Sequence, residues 1–131
     1  MTQQDLFASF ADNGILQIDG TEIPIADIPW TAHASFEGVE LKHMLVSEQT
    51  AGRFSYHLVR VAPQMSIGSH VHASQLETHE VIAGEGECIC DGVSIHYRPG
   101  VIACLEKARP HEVQAGDAGL YLFAKFVPAL C

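Results

Sequence analysis

Glu87-Cys88-Ile89-Cys90-Asp91-Gly92-Val93-Ser94-Ile95-His96-Tyr97 reads as two short strands joined by a two-residue turn. Asp-Gly between alternating runs is a strong hairpin signal, because both turn positions need positive φ, which Asp tolerates and Gly adopts freely. Working outward from this hairpin, further β-type runs occupy residues 15–18, 21–25, 39–46, 53–61, 79–83, 101–105, 111–114 and 120–127, and nearly every gap carries Gly, Pro or Asp. Short strands at regular spacing with no long helical period predict an all-β sandwich or barrel, its second half a continuous meander. Residues 1–14 hold Leu6, Phe7 and Phe10 and end at Asp12-Asn13-Gly14, the pattern of a short helical turn closed by Gly.

The 131 residues suit one domain, with enough chain to bury a core without staples. Sixteen acidic against seven basic side chains give a formal charge of −9, which disfavours phosphate backbones and anionic membranes as partners. The N-terminus lacks a basic region followed by an apolar run, and no apolar stretch approaches the ~20 residues of a membrane span, so a cytoplasmic location is expected. Cys88, Cys90, Cys104 and Cys131 are then read as reduced thiols. Cys88 and Cys90 share a strand parity and can be weighed as a metal pair, but free cysteine acts more often as a small buried hydrophobe. Cys131 is expected to be exposed or frayed.

His70-Val71-His72, Glu77 and the distant His111 carry the chemistry. Two histidines one residue apart on a strand point to the same face, so they can grip one ion. Three imidazoles and a carboxylate suit Fe(II), Mn(II), Ni(II), Zn(II) or Cu(II), whereas Mg(II) and Ca(II) prefer oxygen alone. Glu77, His79 and Val81 share one parity, which makes His79 a hydrogen-bond partner of the ligands or a substitute for one. Tyr56 and Arg60 share one face of the preceding strand and His57 takes the other. Tyr56, His57 and His79 are the candidate proton-moving residues. His33, His43 and His96 have no ligand spacing and read as surface or incidental core residues. Trp30 reads as packing or dimer contact, and Arg109 as an exposed cation or a carboxylate clamp.

These residues resemble the cupin superfamily, in particular its small single-domain members. Gly68, His70, His72, Glu77 and Gly84 fall at the positions of the first cupin motif. The second resembles Gly100 through Pro110-His111, with Glu106, Ala108, Val101 and Ala115 departing from the usual Pro, Gly, Asp and Asn. The resemblance implies a double-stranded β-helix, a jelly-roll barrel, with a short N-terminal helical or extended arm. Residues 1–131 would form one cupin domain, with 1–38 the arm and edge strands and 39–128 the barrel. His70, His72, Glu77 and His111 would converge on a divalent Fe, Mn, Ni or Zn ion inside it. The expected function is a metal-dependent enzyme acting on a small molecule, foremost a mononuclear non-haem Fe(II) or Mn(II) dioxygenase. The alternatives are a metal-dependent isomerase or lyase, and a non-catalytic sensor. The last is similar to cupin domains that accompany anti-sigma factors. A homodimer pairing through the apolar N-terminal strands is also expected.

Overall fold

The computed structural model describes residues 2–131. In chain order the elements are α1 (Gln3–Ala11), β1 (Ile15–Ile18), β2 (Thr21–Pro24), a 3-10 turn (Ile25–Asp27), β3 (Thr31–Ala32), β4 (Val39–Leu45), α2 (Ser47–Thr50), β5 (Ser55–Val61), β6 (Ser66–His70), β7 (Leu76–Cys90), β8 (Val93–Tyr97), β9 (Ile102–Leu105) and β10 (His111–Val127). Strands β1 and β2 form a separate hairpin, and the others make one antiparallel sheet in the order β3-β4-β5-β10-β7-β8, with β6 added on β10 and β9 on β7. This is the jelly-roll barrel with a helical arm. The Asp91-Gly92 hairpin forms as read, with φ of 50° and 81° at its two turn residues.

Two sequence runs on each side of a glycine cluster turn out to be one strand. Residues 79–83 and 87–90 belong to β7, and residues 111–114 and 120–127 belong to β10. Gly84 and Gly119 do not make turns here. They let two backbones touch, since a Cβ on Gly84 would come 2.0 Å from the Gly119 carbonyl oxygen, and the register of the pair shifts between Ala115 and Leu120. Glycine inside a strand marks such a bulge or close approach. The consequence is architectural. Strand β7 pairs with β9 through Glu77–Glu80 and with β8 through Gly86–Cys90. Strand β10 likewise pairs with β6 near His111 and with β5 near Phe126. Each long strand thus serves both halves of the barrel and carries side chains from one to the other.

Alternation along the strands sorts residues between two apolar clusters. Val59 and Val61 of β5, Val81 of β7 and Leu122 and Phe126 of β10 face the barrel interior. Leu58 of β5 and Phe123 of β10 face the opposite way, where Phe7 and Ala11 of α1 cover them. Burying a side chain such as Leu58 or Phe7 stabilises the fold by ~1.5–3 kcal/mol each. Helix α1 begins with a reciprocal cap, Thr2 Oγ1 accepting from the Asp5 amide at 3.1 Å and Asp5 Oδ2 accepting from the Thr2 amide at 2.8 Å. Its far end is held by Lys42 of β4, whose buried ammonium donates to the carbonyls of Ala11 at 3.0 Å and Ile25 at 2.8 Å. Trp30 packs in this layer, with the Arg60 guanidinium 3.9 Å from its ring centre.

Candidate metal centre

Strand pairing assembles the site. His111 starts β10 opposite His70, the last residue of β6, while Glu77 near the start of β7 lies opposite Phe126 near the end of β10. The ligating atoms of His70, His72, Glu77 and His111 all lie within 4.8 Å of one another. His72 reaches the cluster differently from the strand geometry expected of it. Strand β6 ends at His70, and His72 stands in the following loop, where the Ala108 amide holds its carbonyl at 2.8 Å. Ala108, at a position where the second cupin motif usually has Gly, adopts a φ of 62°. The departure in residue type leaves the left-handed turn in place.

Hydrogen bonds outside the cluster set which nitrogen of each ring faces in. His70 Nδ1–H donates to the Gly68 carbonyl at 2.7 Å, and His111 Nδ1–H to the Arg109 carbonyl at 3.4 Å, so both rings turn Nε2 inward. His79 lies just outside the cluster, its Nε2–H donating to Glu77 Oε2 at 2.7 Å and its Nδ1 2.8 Å from the Tyr97 hydroxyl. Burial pushes the Tyr97 phenol up, so it stays a hydrogen donor to that nitrogen. His79 thus hydrogen-bonds Glu77 from outside the group of four.

Electrostatics leaves a conspicuous gap. Burial by itself would raise the Glu77 carboxyl, but His79 and His111 beside it hold it well below the usual carboxylate range. Burial pulls the His70 and His72 imidazoles down, which keeps them neutral and their lone pairs available. Glu77 Oε1 and His111 Nε2 are 3.1 Å apart yet lack a hydrogen bond, to each other or to any other group. A carboxylate oxygen and an Nε2 whose ring carries its proton on Nδ1 are both acceptors. Two acceptors buried at this distance are costly unless a cation or a proton lies between them. The residues present therefore fit a divalent transition metal, whose binding would satisfy both atoms.

The cluster forms one wall of a cavity of about 330 Å³, lined on its apolar sides by Val59, Ile67, Val113 and Phe126. A larger groove of about 670 Å³ beside Gly84, Glu87 and His96 is open to solvent and gathers no comparable donors.

The remaining candidates separate. Tyr56 does not reach the cavity. It faces the outer layer, 6.0 Å between ring centres from Phe123 and with Lys125 over its ring, and burial raises its phenol to about 12. The parity argument correctly set it apart from His57 but left open which side was inside. His57 faces inward and is fully buried, its imidazole pulled down to about 4 by burial and by neighbouring His43. Arg109 makes an exposed ion pair with Asp91 at 3.1 Å and stays away from the cavity. Cys88 is buried, and no cysteine pair forms among the described residues.

Sequence reading missed His43. It lines the cavity and contacts His57, because β4 and β5 pair with these two residues directly opposite. The same row continues through Ala124 of β10 to His79 of β7 and Ala103 of β9. Three imidazoles and two alanines cross the barrel wall in this row, and the small residues leave room for the rings. Tyr97 was missed as well; its inward parity on β8 was the signal available.

The family model for the cupin domain matches residues 57–123. No curated protein matches the sequence. Among solved structures, a predicted oxalate decarboxylase from Thermotoga maritima is similar, with a TM-score of 0.72 and 20% identity over 79% of this chain and 95% of that one. KdgF from Halomonas sp. superposes with a TM-score of 0.69 and 16% identity, covering 79% of this chain and 88% of its own. The polyketide cyclase RemF from Streptomyces resistomycificus gives 0.70 and 17%, covering 82% and 78%. At these identities the likeness is one of fold.

Proposed function

Because the chain belongs to the cupin domain family, we propose that it is a metal-dependent enzyme acting on a small organic molecule, a mononuclear non-haem Fe(II) or Mn(II) dioxygenase with His70, His72, Glu77 and His111 as ligands. The observation that carries this reading is the orphaned pair Glu77 Oε1 and His111 Nε2, buried at the wall of a mostly apolar cavity. A bound Fe(II) or Mn(II) ion would supply a Lewis acid with open positions for a chelating substrate and, for iron, a site for dioxygen.

The chain's own residues have defined parts in this reading. Gly68 and Arg109 carbonyls hold the tautomers of His70 and His111 that present Nε2. His79, held by Tyr97, fixes the Glu77 carboxylate by its second oxygen and leaves Oε1 for coordination. Val59, Ile67, Val113 and Phe126 exclude water around the open positions and favour an apolar substrate body behind a polar chelating head. The varied chemistry named for proteins of similar fold, among them a decarboxylase and a cyclase, fits a cavity whose walls select the substrate.

The test is anaerobic loading of purified protein with Fe(II), then a screen of β-diketones, hydroxy acids and thiols with an oxygen electrode. Substrate-dependent dioxygen uptake that disappears in His72→Ala with Glu77→Ala is the expected result. Turnover without oxygen uptake would replace the dioxygenase by an isomerase or lyase, and metal binding with no turnover of any compound would replace both by a sensor.

A further inference from the structure

Across β10 from Glu77 and His79, a second set of ligating atoms converges. One ring nitrogen each of His43 and His57 and the Cys131 Sγ lie within 4.8 Å of one another. They come from β4, β5 and the segment after β10. The two Nδ1 atoms are 2.8 Å apart, and Cys131 Sγ is 3.8 Å from His43 Nδ1.

The thiol is exposed but its backbone is not frayed. The Ser47 amide and hydroxyl both donate to the Cys131 carbonyl, at 2.7 and 2.9 Å. The Leu130 amide donates to Ser55 Oγ at 2.9 Å, and the Ala129 amide to the Gly52 carbonyl at 3.0 Å. Ser55 Oγ also lies 2.8 Å from His57 Nε2. An Nε2–H donated to that fixed oxygen leaves the His57 Nδ1 lone pair aimed at His43. This is how proteins hold a metal-ligating imidazole, with the far nitrogen anchored and the near one free. His57 is also fully buried.

We propose that His43, His57 and Cys131 form a second metal site, for a borderline divalent cation of the Zn(II) class, in the wall of the same cavity. A thiolate with two imidazoles selects such a cation over the oxygen-preferring ions. Binding exchanges protons without redox change. The cation takes the place of the Cys131 thiol proton, which leaves to solvent, and His43, the donor in the imidazole pair, moves its proton from Nδ1 to Nε2. Three protein ligands leave a fourth position, and since His43 lines the cavity, a donor from a bound small molecule can reach that side of the cluster. The assignment is independent of the ligands on the far side of β10.

Cobalt(II) reports directly on a thiolate ligand through a charge-transfer absorption in the near ultraviolet. The full chain, reduced and stripped with chelator, is titrated anaerobically with Co(II). Wild type is expected to take up about two equivalents with that absorption, and Cys131→Ser about one without it. His70→Ala with His72→Ala should keep about one equivalent together with the absorption. His43→Ala should lose it as Cys131→Ser does, a check that does not depend on the terminal segment. Failure of wild type to develop the absorption, or its persistence in Cys131→Ser, would overturn the proposal. Loss of the absorption together with all uptake in the His70 and His72 variant would likewise overturn it, whereas loss of one equivalent with the absorption kept is the expected result.

Discussion

The two faces of the β5–β10–β7 layer are built from neighbouring residues and do opposite work. The outward face carries Leu58 and Phe123, capped by Phe7 and Ala11 of α1, and buries apolar surface with aromatic edges in contact. On the inward face, one residue along each strand, stand His57, His79 and Glu77, all at most 5% exposed. Together with His111, these buried ionisable groups add nothing to stability unless partners satisfy each one. Apolar packing occupies both faces, and on the inward one the ionisable groups sit among the larger cluster of Val59, Val61, Val81, Leu122 and Phe126. This division separates the consequences of substitution by parity.

The largest stability effect is expected on the outward side. Phe123→Ala removes a ring that touches both Phe7 and Phe10, and should cost about 4 kcal/mol. Denaturant unfolding measures it, while metal content by elemental analysis should stay at the wild-type value. A parallel loss of metal would show that the two faces are coupled.

On the inward side the pattern reverses. Glu77→Gln removes the carboxylate from between the imidazoles, and should weaken metal binding by at least about a hundredfold, roughly 2.7 kcal/mol, measured by competition with a chromophoric chelator. The chelated variant should unfold at nearly the same denaturant concentration as chelated wild type. A large drop in that midpoint would mean that Glu77 supports the fold itself.

The smallest effect tests the helix that covers the outer face. Thr2→Ala deletes the side-chain acceptor of the α1 cap, and about 1 kcal/mol should be lost in thermal or chemical unfolding. The Co(II) spectrum of the inward sites should not change.

Much of the candidate cluster was legible because its signals are local. The parity of Glu77 with His79 depends only on nearby residues and holds in β7, whereas His72 joins His70 from the loop after β6 and not by strand alternation. The strand inventory was less complete where glycine had two meanings. Gly84 was read as the end of a run, but a backbone meets it at 2.0 Å from its missing Cβ, and the strand continues through. The strand expected to hold both His70 and His72 ends at His70, and its start went unseen since Ser66-Ile67-Gly68-Ser69 carries one apolar side chain and so shows no period. His43 was set aside for lack of ligand spacing, when its partner was fourteen positions away in the sequence and directly opposite it in the sheet.

Turn positions, the alternation of each strand and the kinds of donor available follow from the order of residues alone, because they are set by backbone sterics and side-chain chemistry over a few positions. Which side of each strand became the interior, and which donors met, was decided by the closing of the sheet. A period of two offers two equivalent faces, and only the pairing of β10 with β5, β6 and β7 together selects one. That same pairing brings His111 to Glu77, and the β4–β5 register sets His43 against His57, contacts between residues far apart along the chain that no local pattern encodes.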